Sequence, residues 1–205
     1  AFGEGERMSV EAVLARVEEL AGPATGEVAV APVGRMRLPL VEVTGGEPLA
    51  QPGALELMAR LCDAGHLVSL ETSGALDIRP VDPRVHRIVD LKCPASGECG
   101  RNRWENLEDL RPTDELKCVI ATVEDYEWAR EQVRRRELAA RCPVLFSWAA
   151  PLEPDQRHPS LKPFPADQRR LTQRELAERI VADGLPVRFQ LQMHKVLWPA
   201  ARRGV

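Results

Sequence analysis

The sequence predicts an α/β protein built on a mostly parallel sheet. Two observations lead there. Near-continuous apolar runs of strand length ("LPLVEV", "LVSL", "RIVDL", "LKCVIA", "PVLFS") recur along the 205 residues. Most of them are separated by segments whose apolar residues return at helical spacing. Strands without polar alternation are buried on both faces, as in a parallel sheet covered by helices. The order fits an open doubly wound sheet or a piece of a (β/α) barrel.

The elements follow in order. Val10, Val13, Leu14 and Val17 mark a helix that Ser9 can cap. Residues 22–37 are rich in Gly, Pro and Ala and read as a connection, with a weak strand at "EVAVAPV". "RLPLVEV" is a strand, with Pro39 near its start where a missing N–H is tolerable. Leu55, Met58, Leu61 and Cys62 share a helix face that ends at Gly65. "LVSLE" and "HRIVDLK" are strands, "NRWENLEDL" is a short helix and "LKCVIA" is a strand. Thr122 and Asp125 are spaced to cap a long helix running to about Ala140, before the strand "PVLFS". Residues 148–170 hold five prolines and read as a long surface loop. Thr172 and Glu175 form a capping box, with Leu171 and Leu176 placed as a hydrophobic staple. That helix reaches about Asp183, and "PVRFQLQ" is the last strand.

Composition narrows the function. The chain is 44% apolar, enough for one domain with a substantial core. Lys plus Arg number 28 against 31 Asp plus Glu, so no basic field recommends nucleic acid. No apolar run approaches the roughly 20 residues that span a bilayer. Five scattered cysteines, an odd count, suit a reducing cytoplasm better than a disulfide framework.

In parallel α/β folds, ligands bind beyond the carboxyl ends of the strands. Here those ends carry Thr44-Gly45-Gly46-Glu47, Glu71-Thr72-Ser73-Gly74, Asp90-Leu91-Lys92, Ser147, and His194 with Lys195. Paired glycines bare the backbone to a ligand, and Glu47 can accept from an ammonium. Such a loop suits an α-amino acid group. On its own, "GGE" is more readily a tight βα turn with Glu47 favoured by a helix dipole. The loop has no Lys-Ser or Lys-Thr, which excludes a phosphate-binding P-loop. Asp90 and Lys92 lie on one side of their strand, as a local ion pair or as ligand contacts.

"TGGEP", "ETSG" and "DLK" after successive strands resemble the radical S-adenosylmethionine (SAM) superfamily. "VSLETSGALDIRPVDPRVHRIVDLKCPASGE", "RNRWENL", "ATVEDYEWAR" and "LPVRFQLQMHKVLW" narrow the resemblance to the 7-carboxy-7-deazaguanine synthase family, over nearly the whole chain. It implies a partial (β/α) barrel of radical SAM type, a curved sheet with helices outside. It also implies a reaction. A reduced [4Fe–4S] cluster cleaves SAM, and the resulting radical starts ring contraction of 6-carboxy-5,6,7,8-tetrahydropterin to 7-carboxy-7-deazaguanine with loss of ammonia, assisted by Mg²⁺. The resemblance places Gly45, Gly46 and Glu47 on the amino acid end of SAM. Ser73 and Asp90-Leu91-Lys92 would also contact SAM, while Thr44 and His194 would meet the substrate. An electron donor such as a flavodoxin and a homodimer are the implied partners.

One departure stands out. The superfamily's three-cysteine cluster motif is not among the spacings of Cys62, Cys93, Cys99, Cys118 and Cys142. The chain opens "AFGEGERMS". We read it as a single core domain, residues 1–205, beginning just after the cluster loop, with cluster and Mg²⁺ ligands expected upstream. Two alternatives remain: a glycyl-radical activating enzyme, with similar strand-end motifs, and a cluster-free SAM- or pterin-binding module.

Overall fold

The structure is a computed structural model and describes residues 5–21, 39–151, 162–193 and 197. The weak strand expected at "EVAVAPV" lies outside these residues, as does His194. The chain divides into two compact units, one of Ala1–Thr72 with Ile78–Ile88, the other of Ser73–Asp77 with Val89–Val205.

The first unit holds α1 (Val10–Ala21), β1 (Leu40–Val43), α2 (Ala54–Asp63) and β2 (Leu67–Thr72). Ser9 caps α1 as expected, its Oγ accepting from Ala12 N at 3.2 Å. β1 and β2 pair in parallel, Leu40 opposite Leu67 and Val43 opposite Leu70. Pro39 precedes the strand, yet its carbonyl accepts from Leu67 N at 2.8 Å. Met58, Leu61, Val68, Leu70, Val81 and Val85 form the core, with Leu14 and Val17 of α1 packed on it. Burial of these branched and thioether side chains is the main force holding the unit together. Leu55 does not join them; it is 40% exposed. At about 100° per residue the buried stripe centres on Ala54, Met58 and Leu61, leaving Leu55 at its edge. Buried His66 pairs with Glu18 of α1 at 2.7 Å, tying the two helical ends of the unit.

Strand β3 (His86–Asp90) begins in the first unit and ends in the second. The second unit adds β4 (Glu115–Ile120), α3 (Val123–Arg135), α4 (Leu138–Arg141), β5 (Val144–Trp148), α5 (Gln173–Ala182) and β6 (Arg188–Gln190). β4–β5 and β5–β6 are parallel. Strand order is β1-β2-β3 in the first unit and β3-β4-β5-β6 in the second. A doubly wound sheet reverses its strand order at a switch point; here the order never reverses. This decides for the barrel type, and β1 and β6 each keep one neighbour.

The short helix expected in "NRWENLEDL" forms as one 3₁₀ turn, Trp104–Leu107. Two expectations need correction. The helix expected to reach Ala140 breaks at Glu137, whose φ of 51° lies in the left-handed region, so α3 stops at Arg135 and α4 restarts at Leu138. β6 is three exposed residues rather than the full "PVRFQLQ". Both caps hold: Thr122 Oγ1 accepts from Asp125 N at 3.0 Å, Thr172 and Glu175 bond reciprocally, and Leu171 and Leu176 are buried. Tyr126 of α3 packs edge-on to Phe146 of β5 with centroids 6.1 Å apart and donates to Asp183 at 2.6 Å beyond α5.

Candidate functional site

In the first unit the loop after β1 is fixed by the end of β2. Glu47 precedes a 3₁₀ turn, Pro48–Ala50, and its Oε1 accepts from Leu49 N at 3.0 Å. Thr72 Oγ1 donates to both Glu47 carboxylate oxygens, at 2.8 and 3.0 Å. Thr72 is 1% exposed, so its hydroxyl reaches this carboxylate out of bulk water. Thr44 Oγ1 donates to Glu71 Oε2 at 3.1 Å, a second link between the two strand ends. Gly45 has φ +136°, a conformation that disfavours any side chain, and a Cβ at Gly45 or Gly46 would meet nothing within 4 Å. The loop is therefore anchored through Glu47 and open along its two glycines. The carboxylate expected to meet a ligand ammonium also braces the loop from within. A cavity of about 560 Å³ adjoins Thr44, lined by Arg7, Met8, Val43, Pro48 and Leu57 among others.

The second unit supplies Ser73 and the end of β3. Lys92 Nζ donates to Asp90 Oδ2 at 2.5 Å, and Lys117 Nζ of β4 stands 3.3 Å from Asp90 Oδ1. The period-2 ion pair is thus present, with a second lysine that sequence reasoning did not find. Leu91 is 4% exposed; its side chain is core, and its N–H donates to Lys117 O at 2.8 Å. Any ligand contact of Leu91 must come from its carbonyl. A cavity of about 240 Å³ lies here, lined by Asp90, Lys92, Ser96, Val119, Asp125 and Ala149 among others. Asp125 accepts from Ala95 N at 2.8 Å and Ala121 N at 3.0 Å. Burial raises its pKa, against the pull of those N–H donors. Ser147 is buried within β5, between Val119 and Gln190.

Gly74 is required where it stands. Its φ is +73°, and a Cβ would sit 2.4 Å from Asp90 O. The backbone after β2 thereby packs against the end of β3, which a turn-forming glycine in sequence does not by itself reveal.

Comparison with known proteins decides the family. No protein-family profile matches the chain. It is 40% identical over 172 residues to the 7-carboxy-7-deazaguanine synthase of Chlorobaculum tepidum, covering 82% of this chain and 69% of that protein. It is 39% identical over 206 residues to the 7-carboxy-7-deazaguanine synthase of Koribacter versatilis, covering all of this chain and 82% of that one.

The chain belongs to the 7-carboxy-7-deazaguanine synthase family.

The crystal structure of QueE from Escherichia coli superimposes with a TM-score of 0.54 at 21% identity, covering 90% of this chain and 64% of that chain. That likeness shows the fold, an open α/β sheet with helices. The alternative of a glycyl-radical activating enzyme gives way, because these relatives are 7-carboxy-7-deazaguanine synthases.

For a 7-carboxy-7-deazaguanine synthase, SAM fits what the residues present. The open backbone at Gly45 and Gly46 leaves room for its amino acid end. An iron–sulfur cluster does not fit the described residues: among them no group of three or more His, Cys, Asp or Glu could hold a metal ion. Cys93, Cys118 and Cys142 are buried, Cys62 and Cys99 half-buried. Burial pushes the Cys142 thiol up to about 11, which keeps it in the poorly ligating thiol form.

Proposed function

We propose that this chain binds SAM at Gly45, Gly46, Glu47, Ser73 and the Asp90–Lys92 strand end. There it converts 6-carboxy-5,6,7,8-tetrahydropterin to 7-carboxy-7-deazaguanine and ammonia, as a carbon–nitrogen lyase. The observation that carries this reading is the 39% identity to a named synthase over the whole chain. The open glycine loop, braced by Glu47 and Thr72, supports it. A reduced [4Fe–4S] cluster, which the described residues do not hold, would supply the electron that cleaves SAM to the radical that starts ring contraction.

The chain's own residues bind and orient. The freed backbone groups of Gly45 and Gly46 offer an acceptor and a donor to the ammonium and carboxylate of SAM. Glu47, held in place through Leu49 N and Thr72, accepts from the same ammonium. Thr44 is exposed beside the first unit's cavity and faces the substrate. Asp90, held by Lys92 and Lys117, keeps the end of β3 rigid and charged. His194 completes the pterin contacts. Mg²⁺, for which no ligand group stands among the described residues, would supply oxygen-ligand organisation of the substrate carboxylate. We expect a cytoplasmic homodimer served by a flavodoxin-type electron donor.

The test is anaerobic turnover. The full gene product, reconstituted with iron and sulfide, is given SAM, reductant and the carboxy-tetrahydropterin, and the product is read by mass spectrometry. Formation of 7-carboxy-7-deazaguanine supports the reading. SAM binding without cleavage or product would instead favour a binding module.

A further inference from the structure

We infer that Asn102 and Asn106 are positioning residues that set the SAM-binding backbone of the second unit; this rests on the reading of Ser73 and Asp90–Lys92 as SAM contacts. Neither Asn is expected to touch SAM. Their side-chain amides instead replace missing partners of the two segments that do.

The ladder between β3 and β4 ends at Leu91, whose N–H reaches Lys117 O. One residue on, the N–H and C=O of Lys92 would be left without a strand partner, a costly state for half-buried backbone. The Asn102 amide takes both. Lys92 N donates to Asn102 Oδ1 at 2.8 Å, and Asn102 Nδ2 donates to Lys92 O at 2.9 Å. One side chain thus copies the two-bond pairing of a neighbouring strand and extends β3 by one residue, with Lys92 poised to hold Asp90.

Asn106, one 3₁₀ turn further, ties down the loop after β2 as a donor alone. Its Nδ2 donates to Gly74 O at 3.1 Å and Leu76 O at 2.8 Å. Arg103 N adds a bond to Gly74 O at 3.2 Å. Both asparagines are buried, Asn102 at 8% and Asn106 at 1% exposure. Residues 102–106 therefore form a brace that fixes Ser73-Gly74 and Lys92 together within one unit. At 102 the amide both donates and accepts, whereas at 106 it only donates and its Oδ1 accepts no hydrogen bond among the described residues; a carboxylate at 102 would face Lys92 O with like partial charge.

The test uses the full-length reconstituted protein and S-adenosylhomocysteine as probe, with binding read by calorimetry. Asn102→Asp should raise the Kd for S-adenosylhomocysteine and the KM for SAM about tenfold, the size of a hydrogen bond exchanged for a repulsion. The KM for the pterin should stay within about twofold. Amide exchange at Lys92 should quicken. Leu176→Ala, a buried change in α5, should lower the melting temperature and leave that Kd alone. Should N102D fail to fold, Asn102→Ser gives up the amide without adding charge and is read the same way. Unchanged probe affinity in these variants, or an equal loss in L176A, would overturn the brace. A wild-type protein that binds the probe but leaves the pterin unconverted overturns the substrate reading while the brace stands.

Discussion

Replacing Gly74 with Ala should damage the fold, whereas replacing Gly46 should damage only binding. At Gly74 a Cβ would lie 2.4 Å from Asp90 O and 3.2 Å from Val89 Cγ1, with φ at +73°. Non-bonded heavy atoms settle near 3.5 Å, so the loop must move by about 1 Å. Left-handed backbone costs a non-glycine residue about 1–2 kcal/mol. Forcing extra volume into a packed site adds about 1–3 kcal/mol. The move also strains the bonds from Asn106 and Arg103 to Gly74 O. A total of about 2–5 kcal/mol corresponds to a fall in Tm of about 5–15 °C for a chain of this size. At Gly46 a Cβ has no neighbour within 4 Å and φ is outside the left-handed range. G46A should melt within about 2 °C of the parent, as open-surface changes do. Its added methyl would stand where SAM approaches, so its affinity for S-adenosylhomocysteine should fall. Differential scanning calorimetry and titration of the same preparations read both quantities. G74A melting with the parent would refute the packing argument. G46A binding the probe normally would refute the role of the glycine pair.

Thr72→Val removes the hydroxyl that braces Glu47 while keeping its shape; losing a hydrogen bond to a charged group should cost about 1.5–3 kcal/mol and raise the KM for SAM, checked by urea unfolding and steady-state kinetics. Met58→Ala empties a fully buried site in the first unit's core and should cost about 2–5 kcal/mol by urea unfolding, with no specific change in probe affinity. Glu175 has its carboxyl held at about 2, first by Thr172 N–H and then by Arg169. Its folded value lies below its free value near 4.3, so its contribution is complete above about pH 5 and is lost as pH falls towards 2. The gap in urea midpoint between the parent and Glu175→Gln should therefore close between pH 5 and pH 2; a gap constant over that range would contradict the linkage.

Several elements were legible because their signals are local. The box Thr172–Glu175 and the cap at Ser9 involve residues three apart, and both formed as read. Apolar runs gave β1 to β5, since a strand buried on both faces needs no partner information to be recognised. The break at Glu137 was invisible, as nothing in "RRRELAA" marks a left-handed residue. Asn102 and Asn106 lay inside a quoted motif, but their partners, Lys92, Gly74 and Leu76, are 10 to 32 residues away in sequence.

By itself, the sequence determined the α/β class, the family and the polar strand ends, because periodicity and motif spacing are written along the chain. Tertiary structure decided what those ends do. It turned Glu47 inward onto Thr72, set a second lysine beside Asp90, and left Gly45 and Gly46 bare. It also made Gly74 a packing necessity rather than a turn. These depend on which strand lies beside which, and hydrogen bonds and close contacts between distant residues exist only once the sheet has fixed that order.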